Sequence, residues 1–180
     1  MSINVNARNI FLTGMPGVGK TTAGQIAART LGCDFVDTDQ TIEKNERLSI
    51  ARIFSEKGES YFRQRERELL EKLCHRDHQL IATGGGMLIP SANLALARQH
   101  GLVILLAADV DELARRLAFA TDRPLLAAGD VTRRLDELSR ERAAAYAGIT
   151  TRVDTKGQTA AAVAGQIVEL YHRWTSAHAH

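Results

Sequence analysis

The stretch Gly14-Met15-Pro16-Gly17-Val18-Gly19-Lys20-Thr21-Thr22 narrows the possible folds of this chain more than any other. A glycine, four residues and then Gly-Lys-Thr is the spacing of a loop that cradles phosphate. Such a loop needs a buried strand before it and a helix after it. Ile10-Phe11-Leu12-Thr13 is a short apolar run, and Thr22 to Thr30 is rich in alanine, so both neighbours are of the required kind. Glycine at 14, 17 and 19 leaves room for phosphate oxygens beside the main chain. The loop amides then form an anion nest, and the helix that begins near Lys20 adds its positive end. Lys20 is placed to reach the β- and γ-phosphates, and the Thr21 hydroxyl to ligate Mg²⁺. Val18 and Thr22 complete the expected nucleotide contacts. A nucleoside triphosphate is the expected donor, and the loop leaves the acceptor open.

Beyond the loop, apolar runs alternate with helical segments, which predicts a parallel sheet with helices on both faces. Strands are expected near residues 9–13, 34–36, 79–82, 102–106 and 150–153. Helices are expected near 20–31, 49–57, 59–74, 91–99, 110–118, 131–146 and 158–173. No linker or repeat divides the 180 residues, a length that suits one α/β domain. A net charge of +2 is too small to imply a nucleic-acid partner. No apolar run approaches the roughly 18 residues of a membrane span. The N-terminus has no basic region followed by an apolar run. Cys33 and Cys74 lack metal-ligand spacing, and a disulfide between them has no support. These features predict a cytoplasmic protein, and a monomer is expected. Residues 175–180 are read as a frayed tail.

The acceptor side is read from the residues just past each strand, because ligands of such sheets sit beyond the strands' carboxyl ends. Asp37-Thr38-Asp39 ends the second strand. Read as extended chain, it puts both carboxylates on one side, one for Mg²⁺ and one to accept a hydroxyl proton. Capping of a following helix by Asp37 or Thr38 is compatible with this. The third strand runs into Thr83-Gly84-Gly85-Gly86, and consecutive glycines there fit close approach of a ligand to backbone. Thr83 occupies a position where phosphate-loop proteins often carry an acidic residue, which shifts metal binding towards Asp37. Taken alone, Arg63 reads as a solvated residue near the start of a helix. Seven arginines fall between Arg115 and Arg142, and Phe119 to Asp130 lacks helical periodicity around Pro124. That segment, about 118–130, reads as a mobile lid that brings Arg123 onto the transferring phosphate.

Taken together, these motifs resemble the shikimate kinases, from about Asn9 to Ile167. The resemblance rests on the phosphate loop, Asp37-Thr38-Asp39, Gly58-Glu59 followed by Phe62-Arg63 and Glu66, the three glycines, Arg123-Pro124-Leu125-Leu126, Arg142 with Tyr146, and Val153-Asp154-Thr155. It implies a P-loop kinase fold of three layers with five parallel strands in the order 2-3-1-4-5. It implies transfer of the γ-phosphate of ATP to the 3-hydroxyl of shikimate, on the route to chorismate and aromatic amino acids. Asp39 would bind substrate hydroxyls and act as base, and Asp37 would hold Mg²⁺ with Thr21. Arg63 and Arg142 would clamp the substrate carboxylate, with Gly84, Gly85 and Gly86 lining the acceptor site. Arg123 would close on the phosphates, and Arg116 would pack against adenine. A gluconate kinase is the rival enzyme reading, but it does not explain Phe62-Arg63 together with the triple glycine. A nucleotide-binding regulatory domain without turnover is the other alternative, and it would not need Lys20, Asp39 and Arg123 together.

Overall fold

A computed structural model of the chain describes residues 8–118 and 131–178. The element order is β1 (Asn9–Gly14), α1 (Lys20–Leu31), β2 (Asp34–Asp37), α2 (Thr38–Glu46), α3 (Ile50–Lys57), α4 (Glu59–Cys74), β3 (Gln79–Ala82), α5 (Ser91–His100), β4 (Gly101–Ala107), α6 (Val110–Ala118), α7 (Val131–Ala147), β5 (Arg152–Asp154) and α8 (Ala160–Ala177). All the strand pairs are parallel, and the five strands lie in the order β2-β3-β1-β4-β5. Segment 119–130, with Arg123 and almost all of the expected lid, lies outside the described residues.

The apolar runs in β1, β3 and β4 follow from burial on two faces. Ile10, Leu12, Leu80, Leu102, Ile104 and Leu106 pack with α1, α6 and α8. Their alternates Phe11, Ile81, Val103 and Leu105 pack with α4 and α5. Period-two alternation thus fills two cores from one sheet.

Helix α2 is absent from the elements expected of the sequence. Its segment, Thr38 to Glu46, is strongly polar, with only Thr38 and Ile42 buried, so no apolar stripe announces it. Asp37 starts it instead, accepting hydrogen bonds from the N–H groups of Asp39 and Gln40 at 3.1 and 3.2 Å. Glu46, on α2, accepts from Lys57 of α3 at 2.7 Å and from the Tyr61 hydroxyl of α4 at 2.8 Å, tying the three helices together. At the far end, α8 continues through Ala177, beyond the predicted 173. Trp174 stacks there on His178 with ring centroids 4.7 Å apart.

Both cysteines are free, and burial pushes the Cys74 thiol up to about 11, which keeps it unreactive. Among the described residues, no helix is long and apolar enough to cross a membrane.

Candidate active site

The carboxyl ends of β1, β2 and β3 bring the predicted groups to one edge of the sheet. At β1 the loop turns into α1 through Gly19, whose φ of 96° favours glycine. Lys20 Nζ reaches back across the loop to the carbonyls of Gly14 and Met15, at 2.9 and 3.1 Å. The Thr21 hydroxyl donates to Asp37 Oδ2 at 2.7 Å. Asp37 therefore serves two ends: one oxygen caps α2 and the other meets the first turn of α1. The two aspartates do not share an extended segment, contrary to the expectation from alternation. Asp39 stands in the first turn of α2, and its position follows from the cap.

A hydroxyl and a carboxylate joined at the mouth of a phosphate loop are hard oxygen donors of the kind Mg²⁺ takes. No group of three or more His, Cys, Asp or Glu side chains that could hold a metal is present among the described residues.

The three glycines after β3 explain themselves by what faces them. A Cβ on Gly84 would overlap the Asp39 carboxylate. One on Gly85 would lie 2.6 Å from Arg142 Nη1, and one on Gly86 would overlap Arg63 Nη1. Three consecutive residues thus make room for three side chains from α2, α7 and α4. The turn is held from outside as well, since the Gly84 N–H donates to the Thr38 hydroxyl at 2.8 Å. Thr83 is buried and gives its hydroxyl to the Leu12 carbonyl at 3.0 Å, so it holds β3 to β1 rather than a ligand.

Arg63 is not the solvated residue that its position alone suggests. Its Nη1 donates to Glu66 Oε2 at 2.7 Å, and its Nη2 to Glu59 Oε1 at 2.9 Å. Glu66 has only 2% of its side chain exposed, whereas Glu59 has 64%. Glu66 is thus the fixed partner and Glu59 the exchangeable one. Burial works against the Arg63 charge, but the two carboxylates outweigh it and raise its pKa. Burial also raises the pKa of Glu66, against the opposing pull of Arg63, while the Asp39 charge raises it further. Glu66 Oε1 is buried without a hydrogen-bond partner among the described residues and would lie 3.0 Å from a Cβ on Gly84. In the sequence Glu66 stands out only as part of a motif. Its three-residue spacing from Arg63 on a helix is the available signal.

Arg142 Nη1 contacts Met15 Sδ at 3.9 Å, so the acceptor-side cluster touches the phosphate loop. Arg116 joins the loop from the other side. It donates to the Val18 carbonyl at 3.4 Å, to the Thr155 hydroxyl at 3.0 Å and to the Thr155 carbonyl at 2.7 Å. Glu112 holds the same guanidinium at 2.7 Å. The loops after β1 and β5 and helix α6 therefore meet at one residue. The glycine loop thus lies next to a cluster of the Asp39 carboxylate and the Arg63 and Arg142 guanidiniums, groups of the kind that bind the hydroxyls and carboxylate of a small anionic polyol.

The family model for shikimate kinase matches residues 16–172. A shikimate kinase of Caldanaerobacter subterraneus subsp. tengcongensis is 38% identical over 164 residues, spanning 91% of this chain and 96% of that protein. The structure of a shikimate kinase from Acinetobacter baumannii in complex with shikimate matches with a TM-score of 0.86 at 33% identity, covering 93% of this chain and 94% of that one. A gluconokinase from Sinorhizobium meliloti 1021 matches with a TM-score of 0.60 at 16% identity over 94% of each chain, a likeness of fold alone.

Proposed function

The chain belongs to the shikimate kinase family and is an enzyme that phosphorylates shikimate with ATP as donor, and we propose how its residues divide that work. The acceptor atom is the 3-hydroxyl. Asp39 takes its proton as the oxygen attacks the γ-phosphorus, and ADP leaves from the loop side. Lys20 and the loop amides bear the charge on the phosphates, and Arg123 adds a further positive charge. Thr21 and Asp37 would hold Mg²⁺, which would supply positive charge against the phosphates. Arg63 and Arg142 take the substrate carboxylate, and the backbone of Gly84, Gly85 and Gly86 faces the ring hydroxyls. Arg116 flanks the adenine. The protein works as a monomer, without a nucleic-acid or membrane partner.

The observation that carries this division is the glycine turn. Asp39, Arg63 and Arg142 come from three helices, and each fills the space that a side chain on one of the three glycines would occupy. A carboxylate for hydroxyls and two guanidiniums for a carboxylate are the complement of shikimate. The turn alone would also suit gluconate, which is likewise an anionic polyol, but a gluconokinase resembles this chain in fold alone, and a regulatory domain without turnover has no need of the Asp39 base. Purified protein with ATP and Mg²⁺ should release ADP with shikimate, and parallel assays with quinate and gluconate measure how narrowly the acceptor is chosen. An ADP rate no greater with shikimate than without it would refute the proposal.

Glu66 is expected to matter through Arg63. Glu66→Gln keeps one acceptor oxygen but removes the charge that fixes the guanidinium. The KM for shikimate should rise about threefold to tenfold, with the KM for ATP unchanged. An unchanged shikimate KM would remove Glu66 from the acceptor site.

A further inference from the structure

We infer that Tyr146 is a positioning residue for the acceptor, acting through the single peptide bond between Gly85 and Gly86. This rests on the shikimate kinase reading above. Gly85 faces the Arg142 guanidinium and Gly86 faces that of Arg63, so this peptide spans the gap between the two cations. The Tyr146 hydroxyl donates to the Gly85 carbonyl at 3.1 Å. In a trans peptide the carbonyl and the following N–H point in opposite directions, so fixing one fixes the other. The N–H of Gly86 has no hydrogen-bond partner among the described residues. It is a backbone donor held in a set direction between two guanidiniums.

Tyr146 is itself anchored on every side. Its ring packs at the margin of both hydrophobic clusters, one on each face of the sheet. Its own carbonyl accepts from the Ile149 N–H at 3.0 Å and from Arg152 Nη2 at 2.5 Å, and Arg152 Nε holds the Ile149 carbonyl at 2.8 Å. The end of α7 is thus clamped to β5. Arg142 lies one turn earlier on the same helix face. Burial raises the pKa of the phenol, partly offset by Arg142 and Thr13, so the hydroxyl keeps its proton and stays a donor at neutral pH. One helix turn therefore supplies both a guanidinium for the acceptor and the clamp on the backbone beside it.

Tyr146→Phe tests this, because it deletes the hydroxyl and keeps the ring that both clusters pack against. The expected result is a shikimate KM raised about fivefold to twentyfold, with the KM for ATP within about twofold of the unchanged protein. Calorimetric titration with shikimate in the absence of nucleotide should show the same loss of affinity. Tyr171→Phe is the control: its hydroxyl makes a bond of the same kind, to the Arg8 carbonyl at 3.0 Å, at the opposite edge of the sheet. That variant should leave both constants unaltered. An unchanged shikimate KM in Tyr146→Phe, or equal rises in both KM values, would overturn the inference. ADP release by the unchanged protein with shikimate tests the functional reading separately, so the two can fail independently.

Discussion

Asp39→Asn is expected to lower kcat by about 10²- to 10⁴-fold while nucleotide affinity stays close to that of the unchanged protein. The substitution keeps the shape of the side chain that fills the space beside Gly84 and removes its capacity to take a proton. The nucleotide groups lie on other elements, since Lys20 and Thr21 belong to α1 and Arg116 to α6. Asp37, which meets Thr21, is untouched, and its cap on α2 uses the backbone N–H of residue 39, which the substitution retains. ADP release under saturating substrates measures the first effect, and titration with a non-hydrolysable ATP analogue the second. Full activity in Asp39→Asn would eliminate it as the base.

Arg63→Ala should have the largest effect on substrate affinity. It removes a charge-assisted pair with the substrate carboxylate, so the KM for shikimate should rise roughly ten- to a hundredfold. It also leaves Glu66, 2% exposed, without its guanidinium. That should cost on the order of 1–3 kcal/mol of stability, since a buried charged acceptor loses its donor. The pH dependence carries the signature. Glu66 has its folded pKa raised above the ordinary 4.5. Folding therefore favours its protonated form, and the resulting stabilisation is complete below 4.5 and disappears as pH rises through the folded value. Without Arg63 that folded value moves higher still, so the variant should lose stability more steeply with pH than the unchanged protein. The double variant Arg63→Ala, Glu66→Gln should lose this dependence on pH altogether and keep the high KM. Denaturant unfolding across a pH series checks this, and a single variant with the slope of the unchanged protein would contradict it.

The phosphate loop was legible because its chemistry demands glycines, a lysine and a hydroxyl at fixed spacing. The sheet was legible because two-sided burial leaves nearly unbroken apolar runs. Helix α2 was hidden because its stability comes from the Asp37 cap and one buried isoleucine, not from a stripe. Arg63 looked solvated because three arginines alternate along α4, and only the fold decides which of them meets Glu66 and the glycine turn. Arg65 instead pairs with Glu68, and Arg67 with Glu71 and with the Asn93 side-chain oxygen of α5. The roles of Glu66 and Tyr146 could not be read from residue type. A glutamate on a charged helix and a tyrosine near a helix end are common, and their meaning here depends on partners 3 and 61 residues away.

The strand order β2-β3-β1-β4-β5 bears on how an enzyme of this build can acquire a new acceptor. Asp39, Arg63 and the glycines hang from the β2–β3 side of the central strand, while Arg116 and Thr155 hang from the β4–β5 side. Changes of acceptor can accumulate beyond Asp37 on one flank, while the phosphate loop of the central strand and Arg116 and Thr155 on the other flank are inherited intact. The last turn of α7 is the exception. It follows β4 and ends against β5, yet Arg142 and Tyr146 reach the glycine turn across the sheet. That single turn is the part of the donor flank that would have to be rewritten with every change of acceptor.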